Sequence, residues 1–251
     1  MTTLSATGTL LSQQPFLHEQ SAGRPAFWVC NRNGLFGFVV LSWPSPQTAS
    51  ARTASPVFMW SDPSAPPVQL GTVPGVEMTR TPSGEWLPRP LGRQPHLALG
   101  QARLFVGSAD SGFVTSYDVA GSGTRAIKFA VRPRRVSAEH VEAALEEMAG
   151  PVAGATRDTV IARLRGLDAA RVLPAYTGLI ADEYGVLWIV QGAPGEARLR
   201  RLAVDETGKE LADLWVPGTR VYDIGRDHVL AGGAVDGMPS IAKYRLHRRG
   251  R

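Results

Sequence analysis

Short apolar runs separated by turn residues recur along most of the chain. Residues 96–131 contain four such runs, and residues 176–216 contain another four in the same order. Apolar runs bounded by glycine, proline, asparagine or aspartate are typical of β-strands, and short turns between them predict antiparallel meanders. Residues 220–248 predict a further copy with three strands, and residues 57–88 predict a weaker one.

The two clearest copies share their turn chemistry. Asp118 and Asp205 each stand at the end of a strand with a glycine shortly after, and Leu104-Phe105-Val106 corresponds to Leu187-Trp188-Ile189. Aspartate accepts hydrogen bonds from turn amides, and glycine adopts the positive φ of tight hairpins. We expect the aromatic residue to fill the gap between neighbouring sheets. A four-stranded unit recurring at about 40 residues is typical of a β-propeller blade, which cannot cover both faces without neighbours.

The residues before position 57 fit this pattern less well. The chain is therefore predicted to comprise a poorly defined segment, residues 1–56, and propeller blades over residues 57–251. Residues 27–40 predict a β-hairpin, because two apolar runs flank an Asn-Gly turn. Residues 44–56 are rich in small residues and proline and predict a loop.

One segment has the period of helices rather than of strands. Ser137 provides an N-cap, and four apolar residues then share one helix face: Val141, Ala144, Leu145 and Met148. A second helix is predicted over residues 156–165, so that a helical insertion lies between blades near residues 137–166. Two interpretations stay open, a lid over one end of the ring and a packed crossover. The crossover is favoured because neither helix carries catalytic residue types.

Three stretches resemble the blades of a known family: PLGRQPHLALGQARLFVGSADSGFVTSYDVAG, LPAYTGLIADEYGVLWIVQ and VYDIGRDHVLAGGAVDGMPSIAKYRLHR. They are similar to the C-terminal half of bacterial six-bladed β-propellers of the NHL-like and TolB-like type, over roughly residues 57–248. The resemblance implies an all-β propeller of the six-bladed type, incomplete in this chain, with about four to five blades. It implies little chemistry, because it rests on blade motifs. Relatives of this type are often exported.

Composition supports the all-β prediction and narrows the functions. The 251 residues are 43% hydrophobic and include 27 glycines and 19 prolines, which favours many turns. The formal charge is +5, but the arginines are scattered and no aromatic residues alternate with them, so nucleic-acid binding is disfavoured. The single cysteine, Cys30, excludes an internal disulfide and a cysteine-based zinc site.

The start of the sequence shows no secretory signal, and the longest apolar stretch near it, residues 35–43, is too short to span a bilayer. By default we expect a cytoplasmic chain without a membrane span.

The sequence carries no catalytic motif of recognised spacing. Five histidines lie far apart, without the spacing of metal ligands: His18, His96, His140, His228 and His247. Adjacent Asp182 and Glu183 form the other conspicuous group. Neighbouring side chains on a strand or turn point in different directions, so we expect turn chemistry here rather than a site.

Propeller geometry nevertheless predicts where a ligand would bind. Residues that precede the first strand of each blade converge on one end of the central channel, which is the concave part of the fold. In the three clear copies these candidates are Arg93 and His96, Tyr176 and Thr177, and Tyr222 and Asp223. Their mixed chemistry favours a binding pocket over a ring of metal ligands.

Two functions follow from this prediction. The favoured one is a non-catalytic binding or scaffold domain without a cofactor or metal, whose partner at the channel face is an unknown small molecule or protein. The alternative is a metal-dependent hydrolase, similar to propeller lactonases, with its site in the central channel. Among the candidates only Asp223 would serve as a ligand for a hard cation, which weighs against the enzyme.

Overall fold

The computed structural model describes most of the chain: residues 2–4, 10–13, 24–31, 33–42, 44, 52–62, 65–81, 83–119, 123–150, 154–217, 220–235 and 238–246. Most of the predicted loop at residues 44–56 lies outside the described residues, as do His18 and His247.

Strands dominate the described residues, with two helices between them. In chain order the elements are β1 (Thr2–Leu4), β2 (Leu10–Gln13), β3 (Arg24–Cys30), β4 (Phe36–Leu41), β5 (Ala54–Trp60), β6 (Val68–Pro74), β7 (Met78–Arg80), β8 (Trp86–Pro88), β9 (His96–Leu99), β10 (Arg103–Gly107), β11 (Phe113–Asp118), β12 (Thr124–Lys128), α1 (Ala138–Ala149), α2 (Ala155–Arg165), β13 (Gly178–Ala181), β14 (Leu187–Gln191), β15 (Arg198–Val204), β16 (Glu210–Pro217), β17 (Arg220–Ile224), β18 (His228–Val235) and β19 (Met238–Arg245).

Four antiparallel meanders form the blades of a β-propeller arrangement. Blade 1 is β3 to β6, blade 2 is β9 to β12, blade 3 is β13 to β16, and blade 4 contains the three described strands β17 to β19. The first strands of the blades lie side by side, with β9 next to β3 and β13, and with β13 next to β17. The predicted all-β propeller with a helical insertion is confirmed. We call the edge at which β9, β13 and β17 begin the upper edge, and the opposite one the lower edge.

The grouping of strands at the start of the chain differs from the prediction. Residues 57–88 do not form one repeat, because β5 and β6 pair with the hairpin of β3 and β4, whereas β7 and β8 form a separate two-stranded sheet. Val57 pairs with Val39, so the sheet of blade 1 continues across the boundary predicted after residue 56. The end of the predicted loop at residues 44–56 is wrong, because β5 begins at Ala54 and pairs there with β6. The alternating burial of β5 explains the pairing, since Val57 and Met59 need a covered face.

Alternate side chains of a strand point into two different hydrophobic seams, which are the apolar layers between neighbouring blades. In β10, Leu104 packs towards blade 1 and Phe105 towards blade 3. In β14, Ile189 packs towards blade 2, and Trp188 fills the seam between blades 3 and 4, as an aromatic residue at this position was expected to do. Because successive side chains of a strand point to opposite faces, each such strand is buried on both sides.

The helices pack on one another and on the β7–β8 sheet. Their shared core contains Leu145 and Ala149 of α1, Ile161 and Leu164 of α2, Leu167, and the partly buried Leu87 of β8. Ser137 caps α1 as predicted, because its Oγ accepts a hydrogen bond from the backbone N–H of His140. Met148, which the spacing placed on the apolar face, is exposed. This packing supports the crossover interpretation.

Among the described residues no helix has the length and apolar character needed to cross a bilayer.

Two turns share the sequence Asp-Glu-X-Gly and the same hydrogen bonds. In each, the aspartate Oδ1 accepts from the backbone N–H groups two and four residues later, at 2.8 to 3.1 Å. The glycines, Gly185 and Gly208, have φ values of +77° and +88°, which an L side chain rarely adopts. The predicted turn chemistry is therefore confirmed at Asp205. The glycine predicted to follow Asp118, at position 121, lies outside the described residues.

Asp182 has a further partner that Asp205 lacks. Its side chain is 2% exposed, and its Oδ2 accepts a 2.9 Å hydrogen bond from the indole N–H of the buried Trp188. Glu183, by contrast, is exposed. The acidic pair is thus divided between a buried turn anchor and a surface residue, and the turn interpretation of Asp182 is confirmed.

Replacing Asp182 with alanine should lower the free energy of unfolding by about 3 kcal/mol, because two turn amides lose their acceptor and the buried indole N–H of Trp188 is left unpaired. Urea denaturation measures the loss. Asp205→Ala is the matched control, since it removes the same turn bonds from an exposed site. Equal losses in the two variants would contradict the role assigned to the Trp188 bond.

Candidate functional site

Three of the six predicted site residues come together at the upper edge. The ring of His96, at the start of β9, lies 5.6 Å from the ring of Tyr176, which precedes β13. Tyr176 is completely buried, and its hydroxyl donates a 3.2 Å hydrogen bond to the carbonyl of Phe113. Arg93 precedes β9 and is 40% exposed. These residues come from the starts of two neighbouring blades, where the inner strands were expected to gather polar side chains.

Two loop residues that the sequence did not single out complete this group. The guanidinium of Arg52, between β4 and β5, pairs with the carboxylate of Asp110, between β10 and β11. Nε of Arg93 lies 3.5 Å from Oδ1 of the same carboxylate. We call Arg52, Arg93, His96, Asp110 and Tyr176 the upper cluster. No sequence pattern pointed to Arg52 or Asp110, because their pairing joins loops of two different blades.

The positions of Arg52 and Asp110 are fixed by further hydrogen bonds. Nε of Arg52 donates to the carbonyl of Gly75 at 2.8 Å, and a second nitrogen of the guanidinium donates to the carbonyl of Ser108 at 3.2 Å. The Ser108 hydroxyl donates to Oδ2 of Asp110 at 2.6 Å. Arg52 therefore ties blade 1 to blade 2, and most of its donors are already used.

A second acid holds the backbone of Arg93. Oε2 of Glu77 accepts from the Arg93 backbone N–H at 3.1 Å, and Oε1 accepts from Arg89 at 2.7 Å. Burial raises the pKa of Glu77, but the hydrogen bonds and charges of these two arginines outweigh it and lower the pKa. Arg89 also pairs with Asp168 at 2.5 Å, which connects the network to the segment after α2.

Burial also sets the protonation of the two rings. It lowers the pKa of His96 to about 4, so the imidazole is neutral at pH 7. It raises the pKa of Tyr176, so the phenol keeps its proton. The charges nearby come from Arg52, Arg93 and Asp110, with one positive charge in excess. Arg93 is the most exposed of these three side chains.

The other three predicted residues lie elsewhere. Thr177 donates its backbone N–H to the carbonyl of Val190 at 2.8 Å and is thus part of the sheet of blade 3. Tyr222 and Asp223 lie within β17, and His96 is the first residue of β9, so the prediction that these three residues precede the first strand of their blade is wrong. An irregularity in the pairing of β17 with β18 falls at Tyr222. In the described part of the chain, Asp223 is 3.6 Å from His228 of the same blade.

A separate concavity lies at the lower edge, between blades 2 and 3. It has a volume of about 540 Å³, and its apolar lining includes Phe105, Ile127 and Leu187. On its rim, Glu206 is 2.8 Å from Arg125 and 3.3 Å from Arg103. The two Asp-Glu-X-Gly turns form part of this rim, and their role there was not predicted.

No protein-family model and no curated protein matches the chain. The resemblance to NHL-like and TolB-like propellers thus stays a prediction.

Replacing His96 with asparagine should flatten the acid dependence of stability. The folded pKa of about 4 lies below the unfolded value, so the unfolded chain binds an extra proton as the pH falls from about 6.5 towards 4. The contribution of His96 to the free energy of unfolding is complete above about pH 6.5 and is lost as the pH falls towards 4. Between pH 7 and pH 4, we expect the free energy of unfolding to fall by about 2 kcal/mol more in the wild type than in His96→Asn. This value is smaller than the full shift of the His96 pKa implies, because the ring is partly exposed.

Urea denaturation at each pH measures this difference, and the carboxylates titrate alike in both proteins. Parallel profiles for the wild type and His96→Asn would contradict the burial argument.

Proposed function

We propose that this chain is a non-catalytic binding domain that holds a small carboxylate-bearing molecule at the upper cluster. The observation that carries the proposal is the convergence of Arg93, His96 and Tyr176 with the Arg52–Asp110 pair. Side chains from two blades and the start of a third meet there. A propeller arrangement is well suited to such a role, because its rigid sheets position residues that lie far apart in sequence.

Arg93 is the residue best placed to recognise the ligand. Among the described residues its guanidinium is paired only through Nε, at the relatively long distance of 3.5 Å from Asp110. Its backbone is held by Glu77, so the side chain projects from a fixed position. The planar fork of an arginine matches the two oxygens of a carboxylate. Arg52, whose donors are used by Asp110 and by carbonyl groups, supports the site.

The neutral rings favour a ligand that also has an uncharged polar part. His96 is neutral at pH 7 and offers one donor and one acceptor, and Tyr176 provides a buried wall beside it. The upper cluster therefore suits a small organic acid better than an inorganic anion. We further propose that the chain belongs to the six-bladed type, with a protein or small-molecule partner at this face.

The metal-dependent hydrolase has weaker support. Over the described ranges, no three histidine, cysteine, aspartate or glutamate side chains are arranged to hold a metal ion. Metal analysis of the purified protein, together with a panel of lactones and esters, tests this alternative. Stoichiometric calcium or zinc accompanied by turnover would favour the enzyme over the binding domain.

Arg93→Gln should weaken carboxylate binding at least about 10-fold, because a hydrogen bond to a charged group is lost. Saturation-transfer NMR measures binding with a panel of acetate, succinate, citrate and benzoate and with the corresponding amides. Arg125→Gln at the lower edge is the matched control, since Arg125 is also an exposed arginine with one carboxylate partner.

We expect the acids to bind to the wild type and to the Arg125 variant, and the amides to bind weakly. Equal binding of acids and amides, or unchanged binding to Arg93→Gln, would refute the proposal.

A further inference from the structure

Arg201 is an arginine buried inside the seam between blades 3 and 4. The residue is only 1% exposed, although it carries the largest side chain among the fully buried residues. One hydrogen bond of its guanidinium is described, from NH1 to the carbonyl of the adjacent Arg200 at 3.2 Å. Its Nε is enclosed and has no hydrogen-bond partner among the described residues.

Strand alternation explains why the nearest described carboxylate does not reach this guanidinium. Arg200 and Arg201 are neighbours on β15 and therefore point to opposite faces of blade 3. Asp213 lies on the face of Arg200, with which it makes two hydrogen bonds of 2.8 and 2.9 Å. On its own side Arg201 pairs in register with Leu214 of β16, and the next residue on that face is the buried Ala203.

The guanidinium keeps its charge in this apolar seam. Burial lowers the pKa of Arg201, but only to about 10, so the side chain is protonated at neutral pH. A buried charge without a partner is strongly destabilising. A water molecule could accept a hydrogen bond from Nε, but it would not supply the opposite charge. The arrangement is therefore complete only with a negatively charged group that comes from outside the described residues.

We propose that a small monovalent anion, chloride or a short carboxylate such as formate, binds beside Arg201 between blades 3 and 4. The near-complete burial of Arg201 limits the size of the anion, so sulfate and larger organic acids do not fit. The site is distinct from the upper cluster.

Anion binding at this position would stabilise the attachment of blade 4. The seam contains Trp188, Ala203, Ile224 and Val229, and Arg201 places a fully buried positive charge there. A bound anion would neutralise that charge and stabilise the folded state in proportion to its concentration. Without the anion, the seam would hold an uncompensated charge.

Thermal unfolding in chloride and in gluconate at constant ionic strength tests the proposal. Gluconate serves as the anion too large to enter. We expect chloride to raise the unfolding temperature of the wild type by at least about 3 °C, with saturation. Arg201→Met should be at least as stable as the wild type in gluconate and should not respond to chloride. Arg198→Met, an exposed arginine on the same strand, is the control and should respond like the wild type.

Formate and sulfate series at the same ionic strength identify the anion. A rise with formate at lower concentration than chloride assigns a carboxylate, and a rise with chloride alone assigns a halide. A rise of equal size in the wild type and in Arg201→Met would show a general salt effect and overturn the proposal, as would the absence of any rise in the wild type.

The width of the ³⁵Cl NMR line provides a second measurement that does not depend on a folded variant. Wild-type protein should broaden the chloride line, and formate should reverse this broadening by competition. The proposal would also be overturned if the protein did not broaden the chloride line, or if formate did not reverse the broadening.

Discussion

Each central blade needs two neighbours, because both faces of its sheet are apolar. The second strands of blades 2 and 3 show this directly, with Leu104 and Phe105, and likewise Trp188 and Ile189, directed into opposite seams. A sheet of this kind is unstable in isolation, since exposing either face would return large apolar side chains to water. The blades therefore stabilise one another, and the turn aspartates and the ion pairs between loops lie at the two edges.

The two edges use their polar residues differently. At the lower edge, aspartates close the turns and one of them anchors the indole of Trp188. At the upper edge, Arg52 and Asp110 connect the loops of blades 1 and 2, and Arg89 and Asp168 connect the β7–β8 sheet to the segment after α2. Arg201 departs from this division, because it places a charge within a seam. An exception of this kind in an otherwise consistent fold is more informative about function than another surface ion pair.

The sequence was sufficient to predict the propeller and the helical insertion, because strand alternation and turn residues are local properties. It was insufficient for blade 1, where β4 ends at Leu41 and β5 begins only at Ala54, so that the pairing of Val39 with Val57 leaves no local signal. The convergence of His96 and Tyr176 followed from blade geometry. Arg52 and Asp110 were missed because their contact joins two loops. The prediction that Tyr222 precedes the first strand of blade 4 was wrong, because β17 continues on both sides of the pairing irregularity at this residue.

In every blade, each strand pairs with the strand next to it in the chain. The strands of each sheet can thus begin to pair soon after their own residues leave the ribosome, in blade 1 before blades 2 to 4. Its seam face, with Val39 and Val57, stays uncovered until β9 and β10 have been synthesised. Assembly in this order follows the direction of translation. Between the synthesis of blade 1 and that of β9 and β10, the growing chain most needs protection from aggregation.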